Sequence, residues 1–309
     1  MNPGGDVIRV WLPEPPETLG GLPDGMVAHV WTGKEPLPAD KDEVEVIVLP
    51  QRVSPDTLAT VTRLPNLKLV QLTSAGAERV IPHIPPHVTL CNARGAHDAA
   101  TAEWTVGVIV AHLRNFPRFT HAQADGRWDF TLSESVSGKH VLIVGYGSIG
   151  GAVERRLAGW EVTIERLART RRSGVLGLED LSHALGKADV VILLVPVTDE
   201  TTHMVDEGFL KSMKDGALLV NAARGAIVDT EALLKELNTG RLKAALDVTD
   251  PEPLPAGHPL WTAPGLLLTP HVGGAITQVR ERAYAVVRAQ LVRYAAGEPL
   301  QNVIGARGY

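Results

Sequence analysis

The sequence predicts an α/β protein of two doubly wound, parallel-sheet domains. Three observations carry this. Short β-branched runs alternate with helix-like stretches, the runs are apolar at consecutive positions, and the alternation is broken once by a long helical segment before it begins again. A strand covered by helices on both faces needs apolar side chains on both, whereas a half-exposed strand alternates. A chain of 309 residues suits two cores of ordinary size better than one.

Val7 to Leu12, Val44 to Leu49, Leu67 to Leu72 and Val88 to Cys91 read as the first strands. From Thr101 to Arg114 the spacing turns helical, with Trp104, Val108, Ala111 and Leu113 among the apolar positions, and Pro117 closes the stretch. His140 to Val144, Asp189 to Pro196, Ala217 to Asn221, Leu242 to Val248 and Leu266 to Thr269 form the second set of strands. Thr277 to Ala296 is helical again and is expected to return to the first domain. The domains are therefore expected at 1-101 with 275-309, and at 102-274.

A net charge of -5 and a pI near 6.1 give no reason to expect nucleic-acid or membrane partners. No apolar stretch reaches the ~20 residues that span a bilayer. Cys91 is the only cysteine, so no intrachain disulfide forms, which suits a reducing, cytoplasmic setting. No metal site is expected.

Gly145-Tyr146-Gly147-Ser148-Ile149-Gly150 is a G-x-G-x-x-G turn after the run Val141 to Val144 and before the helix-like Ala152 to Leu157. In that context the first glycine permits the tight turn, the second lets backbone approach a pyrophosphate, and the third lets helix and strand pack closely. The amides at the helix start then face an anion. A dinucleotide also needs its adenosine ribose recognised about 20 residues on, by an acid for NAD or a basic group for the 2′-phosphate of NADP. Glu165 has the right spacing, but the apolar pattern runs on to Leu167 and Ala168, which puts Arg169-Thr170-Arg171-Arg172 at the strand end. Arg169, Thr170 and Arg171 favour NADP(H), with NAD(H) the alternative through Glu165.

Three groups follow three apparent strand ends: Arg224 after Ala217 to Val220, Glu252 after Asp247-Val248, and His271 after Leu266 to Leu268. A cation, a general acid and a carboxylate to orient that acid are what hydride transfer to a ketoacid needs, and open α/β sheets place ligands at the carboxyl ends of their strands. Asp247 reads either as a satisfied buried acid or as an acceptor for a nicotinamide carboxamide, the second being favoured. Trp128 and Trp261 read as packing residues.

These residues in this order resemble the D-isomer-specific 2-hydroxyacid dehydrogenase family, including its glyoxylate/hydroxypyruvate reductases. The resemblance rests on Gly145 to Gly150, Leu194 to Thr201, Met213 to Asp229, Ala244 to Pro253, and His258-Pro259-Leu260-Trp261 leading to Pro270-His271. It implies two Rossmann-like domains with a discontinuous substrate domain formed by both chain ends. Arg224 would hold the substrate carboxylate and carbonyl, His271 would be the acid/base, and Glu252 would orient it. It also implies Ser74, Ala75 and Gly76 as substrate-carboxylate donors, and Thr101, Val195, Pro196, Thr201, Ala222 and Gly273 beside the cofactor. A homodimer joined through the cofactor domain, with the Trp104 to Arg114 helix contributing, is implied as well. Where many NAD-using members carry an Asp, this chain has Ala168, which resembles the NADP-preferring reductases.

The expected activity is thus reduction of a small 2-oxoacid by NAD(P)H, or the reverse oxidation of a CH-OH donor. A phosphite- or formate-type dehydrogenase is the enzymatic alternative. A non-catalytic dinucleotide-sensing protein is the alternative of another class.

Overall fold

The apolar runs form the strands of two parallel sheets in the computed structural model, which describes residues 7–305 except 52 and 62. One unit comprises Met1–His97 and Thr277–Tyr309, the other Asp98–Ile276. These divisions fall a few residues from the expected 101 and 274. The connecting helix begins at Asp98 and belongs undivided to the second unit.

The first unit has strands β1 (Ile8–Leu12), β2 (Met26–Val30), β3 (Val44–Leu49), β4 (Leu69–Leu72) and β5 (Thr89–Cys91), in the order β2-β1-β3-β4-β5, with helix α1 (Pro55–Val61). Strand β2 is absent from the sequence reading for a physical reason. It is an edge strand in which only Met26 is buried, while Val27 and Val30 are half open, and its short apolar run is interrupted by His29.

The second unit has helices α2 (Asp98–Leu113), α3 (Phe116–Ala124), α4 (Ser148–Leu157), α5 (Leu181–Leu185), α6 (Glu207–Ser212) and α7 (Thr230–Asn238). Its strands are β6 (His140–Val144), β7 (Thr163–Leu167), β8 (Val190–Leu193), β9 (Leu218–Asn221), β10 (Lys243–Leu246) and β11 (Leu266–Leu268), in the order β11-β10-β9-β8-β6-β7. Beyond β7 a single parallel bridge joins Leu167 to Leu176, a rudimentary strand. Counting it, the order becomes 3-2-1-4-5-6-7, whose first six positions are the dinucleotide-binding order with its reversal between β6 and β8.

Successive residues of one strand serve opposite layers. Leu142 and Val144 pack with Leu185, Phe209, Leu210 and Leu233, from α5, α6 and α7. Val141 and Ile143 pack with Val106, Ile109, Val153 and Leu157, from α2 and α4. Every residue of Val141 to Val144 is fully buried, which is why the run is continuously apolar. The first sheet is built the same way. Ile47 and Leu49 face Leu58 and Val61 of α1, whereas Val46 and Val48 face Tyr284, Val287 and Leu291 of the C-terminal helix α8 (Val279–Ala296). No described helix is long and apolar enough to cross a membrane.

Candidate active site

Gly145 follows β6 with φ +96°, and a Cβ there would lie 2.6 Å from the Leu194 carbonyl carbon and 2.7 Å from the Val195 amide nitrogen. Only glycine allows both the left-handed backbone and this approach of two chains. This contact also shapes the run Asp189 to Pro196, of which only Val190–Leu193 is paired as strand. At Gly147 an added Cβ would meet nothing within 4 Å, so the turn presents an open face. At Gly150 it would press on Ile143 and Tyr146, the close packing expected of the third glycine. No side chain caps α4, and its first-turn amides, from Ser148, Ile149 and Gly150, are available to an anion at the positive helix end. An open glycine turn with uncapped amides is the arrangement a dinucleotide pyrophosphate fits.

Strand β7 ends at Leu167, whose carbonyl accepts from both Gly145 N and Tyr146 N at 2.9 Å, so the chain leaving β7 runs beside the turn. Arg169 and Thr170 are exposed there. Glu165 is not at this end. Its carboxylate lies 3.5 Å from His140 Nε2, at the amino end of β6. Arg171 is turned away as well, donating to Glu179 Oε1 at 2.8 Å and to Asp180 Oδ2 at 2.5 Å. Arg172, the last residue of the basic cluster, donates instead to the Tyr146 carbonyl at 2.7 Å.

The loop after β8 is closed by Thr201, whose hydroxyl donates to the Pro196 carbonyl at 2.6 Å and accepts from Thr198 N at 2.8 Å. Val195 lies against Gly145, Thr101 is buried in the first turns of α2, and Ala222 directly follows β9.

The three expected catalytic groups come from neighbouring strands. Because β9, β10 and β11 are adjacent and parallel, their carboxyl ends share one edge of the sheet. Arg224 leaves β9 in extended conformation, on a turn held by the fully buried Asn221, which accepts from Ala223 N at 3.0 Å and donates to the Arg224 carbonyl at 2.9 Å. The next residue, Gly225, lies so close to the loop after β10 that a Cβ would sit 2.0 Å from the Thr249 carbonyl. That loop carries Glu252. Glu252 Oε1 lies 2.7 Å from His271 Nδ1, which leaves Nε2 as the ring nitrogen for proton transfer. Both side chains are half open to solvent.

His271 has φ 55°, unusual for a residue with a side chain, and the turn around it is fixed by Asp247. Asp247 is buried. It accepts from Thr269 Oγ1 at 2.6 Å, Val272 N at 2.8 Å and Gly273 N at 2.7 Å, and its own carbonyl accepts from His271 N at 2.7 Å. Trp104 completes the support, donating to Thr269 Oγ1 at 3.1 Å. The Asp247 carboxylate thus accepts three hydrogen bonds from within the fold. Asn221 and Thr269 enter the sequence reading only as strand ends, with no supporting role. The one signal for them is a polar residue at the end of an otherwise apolar run.

In the other unit, Ser74, Ala75 and Gly76 follow β4. Their turn is braced by the buried Asn92, whose amide donates to the Ala75 carbonyl at 2.6 Å, and by Ala93 N, which donates to the Ser74 carbonyl at 2.8 Å. Trp128 and Trp261 do not pack as expected. They are 98% and 54% exposed.

Residues 106–273 match the family model described as D-isomer specific 2-hydroxyacid dehydrogenase, NAD binding domain. A glyoxylate reductase of Thermofilum pendens is 36% identical over 249 residues, covering 76% of this chain and 74% of that protein. A D-isomer specific 2-hydroxyacid dehydrogenase from Xanthobacter autotrophicus, solved with NADPH and MES, superposes with a TM-score of 0.84 at 27% identity, covering 98% of this chain and 99% of that one. An NADPH-dependent glyoxylate/hydroxypyruvate reductase from Sinorhizobium meliloti, solved with NADP and sulfate, gives 0.83 at 25% identity, covering 98% and 100%. With the glycine turn and the histidine–carboxylate pair in place, this chain belongs to the D-isomer specific 2-hydroxyacid dehydrogenase family and is an NAD(P)-dependent oxidoreductase acting on 2-oxoacids and 2-hydroxyacids.

Proposed function

We propose that this enzyme reduces small 2-oxoacids of the glyoxylate or hydroxypyruvate type with NADPH, as a cytoplasmic homodimer. The observation that carries the reading is the 2.7 Å contact between His271 Nδ1 and Glu252, on the sheet edge that also carries Arg224. When bound, the nicotinamide supplies a hydride from its C4. Arg224 holds the carboxylate and draws electron density from the 2-oxo group, so that negative charge gathers on the carbonyl oxygen. His271 gives that oxygen a proton from Nε2, while Glu252 stabilises the imidazolium before transfer and keeps the ring oriented after it. The backbone amides of Ser74, Ala75 and Gly76 are assigned to the substrate carboxylate.

Preference for NADPH is supported by Arg169 and Thr170 at the end of β7, by Ala168 in place of an acid, and by the displacement of Glu165 toward His140. The relatives solved with NADPH and NADP point the same way. The homodimer is supported by Trp128, Phe130 and Leu132, exposed at 98%, 82% and 84% on one extended stretch beyond α3. Exposed apolar side chains in a row are what a second copy covers.

Oxidation of NADPH and NADH, followed at the nicotinamide absorbance against glyoxylate, hydroxypyruvate, pyruvate and phenylpyruvate, tests reaction, cofactor and substrate class together. Faster turnover with NADPH than with NADH, and with glyoxylate and hydroxypyruvate than with the other acids, is expected. Preference for NADH, or for phenylpyruvate, overturns the corresponding half of the proposal.

A further inference from the structure

The ring of Tyr146, second residue of the glycine turn, is held in place by an ion-pair network. Its hydroxyl donates to Glu154 of α4, and Arg166 of β7 grips the same carboxylate, with Nε to Oε2 at 2.8 Å and Nη2 on Oε1. Arg166 keeps the Glu154 carboxyl below its ordinary range, so the anchor stays charged. Two guanidinium carbons lie near the centre of this ring, Arg166 at 5.7 Å and Arg172 at 5.9 Å, within range of a cation–π attraction.

The two arginines differ in their charge balance. Arg166 is neutralised by Glu154, and Arg171 by Glu179 and Asp180. The Arg172 side chain makes one hydrogen bond, to the Tyr146 carbonyl, and no carboxylate among the described residues pairs with it. A guanidinium has five N–H donors, so most of its donors are free beside the turn. Because Leu167 ties the end of β7 to Gly145 and Tyr146, this cation stands where the ribose of a dinucleotide seated on the turn is read.

We propose that Arg172 is a specificity-determining residue for the 2′-phosphate, and that Tyr146 is the positioning residue that holds it there. This rests on the reading of the cofactor as NADP(H) and deepens it. The tyrosine acts through its ring face and carbonyl, the arginine through charge and paired donors, and Arg171 has no part in the contact.

The test is calorimetric binding of adenosine 2′,5′-bisphosphate and of 5′-AMP, which differ only in the 2′-phosphate, to the intact protein and its variants. Arg172→Ala is expected to lower the preference for the bisphosphate roughly ten- to hundredfold, the range of one hydrogen-bonded charge pair, with 5′-AMP binding unchanged. Tyr146→Ala loses part of the preference, Tyr146→Phe keeps most of it because the ring remains, and Arg171→Ala keeps nearly all. Retention of 5′-AMP binding shows that each variant is folded. If the parent prefers the bisphosphate and Arg172→Ala does so equally, the inference is overturned while the NADP(H) reading stands. If the parent shows no preference, both fall.

Discussion

Replacing Asp247 by Asn preserves the shape of the side chain and removes one acceptor. Oδ1 serves two donors, Thr269 Oγ1 and Val272 N, whereas Oδ2 serves one, Gly273 N. The Asn carbonyl therefore settles at the Oδ1 position, and its amide faces the Gly273 N–H, donor against donor. Trp104 also packs close to Gly273, with Cγ 3.4 Å from where a Cβ would stand. An orphaned buried N–H costs roughly 1–3 kcal/mol, and loss of the ionic character of the other bonds adds about 1 kcal/mol, giving about 3 kcal/mol together. For a unit of this size that is about 6–12 °C of melting temperature. Because the same turn carries His271, turnover falls as well. Circular-dichroism melting and NADPH titration by fluorescence measure the two effects. A melting temperature within about 1 °C of the parent, with weakened NADPH binding as the only change, refutes the structural reading and favours Asp247 as a carboxamide acceptor.

His271→Ala is expected to lower kcat by on the order of 10²–10⁴ with NADPH affinity unchanged, and Arg224→Ala to raise KM for the 2-oxoacid as well; unchanged steady-state kinetics in both refute the assignment. His112 bridges the carbonyls of Ala244 and Gly265, and burial holds its pKa below 6.5, with Lys243 adding to that and the two carbonyls opposing it. Since the unfolded chain binds the proton more readily, its stabilising contribution is complete above pH 6.5 and is lost as pH falls from there through the folded value. Denaturant unfolding from pH 7.5 to 5 should therefore show a shallower loss of stability in His112→Gln than in the parent, and equal slopes reject the idea. Trp128→Ser with Phe130→Ser should convert a dimer to a monomer in sedimentation, and an unchanged mass removes this stretch from the interface.

The parts of the fold legible in the sequence are those buried on both sides. Val141 to Val144 and Val190 to Leu193 have no solvent-facing position, so hydrophobicity alone marks them. Strand β2 escapes for the opposite reason. Its outer face is open and its partner, β1, lies far enough along the chain that no local pattern reports the pairing. Trp128 misleads for a related cause, because a large aromatic residue carries a strong expectation of burial that says nothing about whether the cover comes from its own chain.

Within the site, Arg224, Glu252 and His271 are legible because each follows an apolar run directly, and the sheet order then brings three separate strand ends to one edge. The contacts that hold them are less so. Asn221, Thr269 and Asp247 act by hydrogen bonds across a turn, and which donors such a group meets depends on backbone direction rather than on residue spacing. The arginine run shows the limit most clearly. Arg171 and Arg172 are chemically identical neighbours, and only the fold reveals that Glu179 and Asp180 neutralise one while the Tyr146 ring and carbonyl hold the other at the glycine turn. A basic cluster in a sequence locates a phosphate site to within a few residues. Choosing among its members requires knowing which charges the protein has already spent on itself.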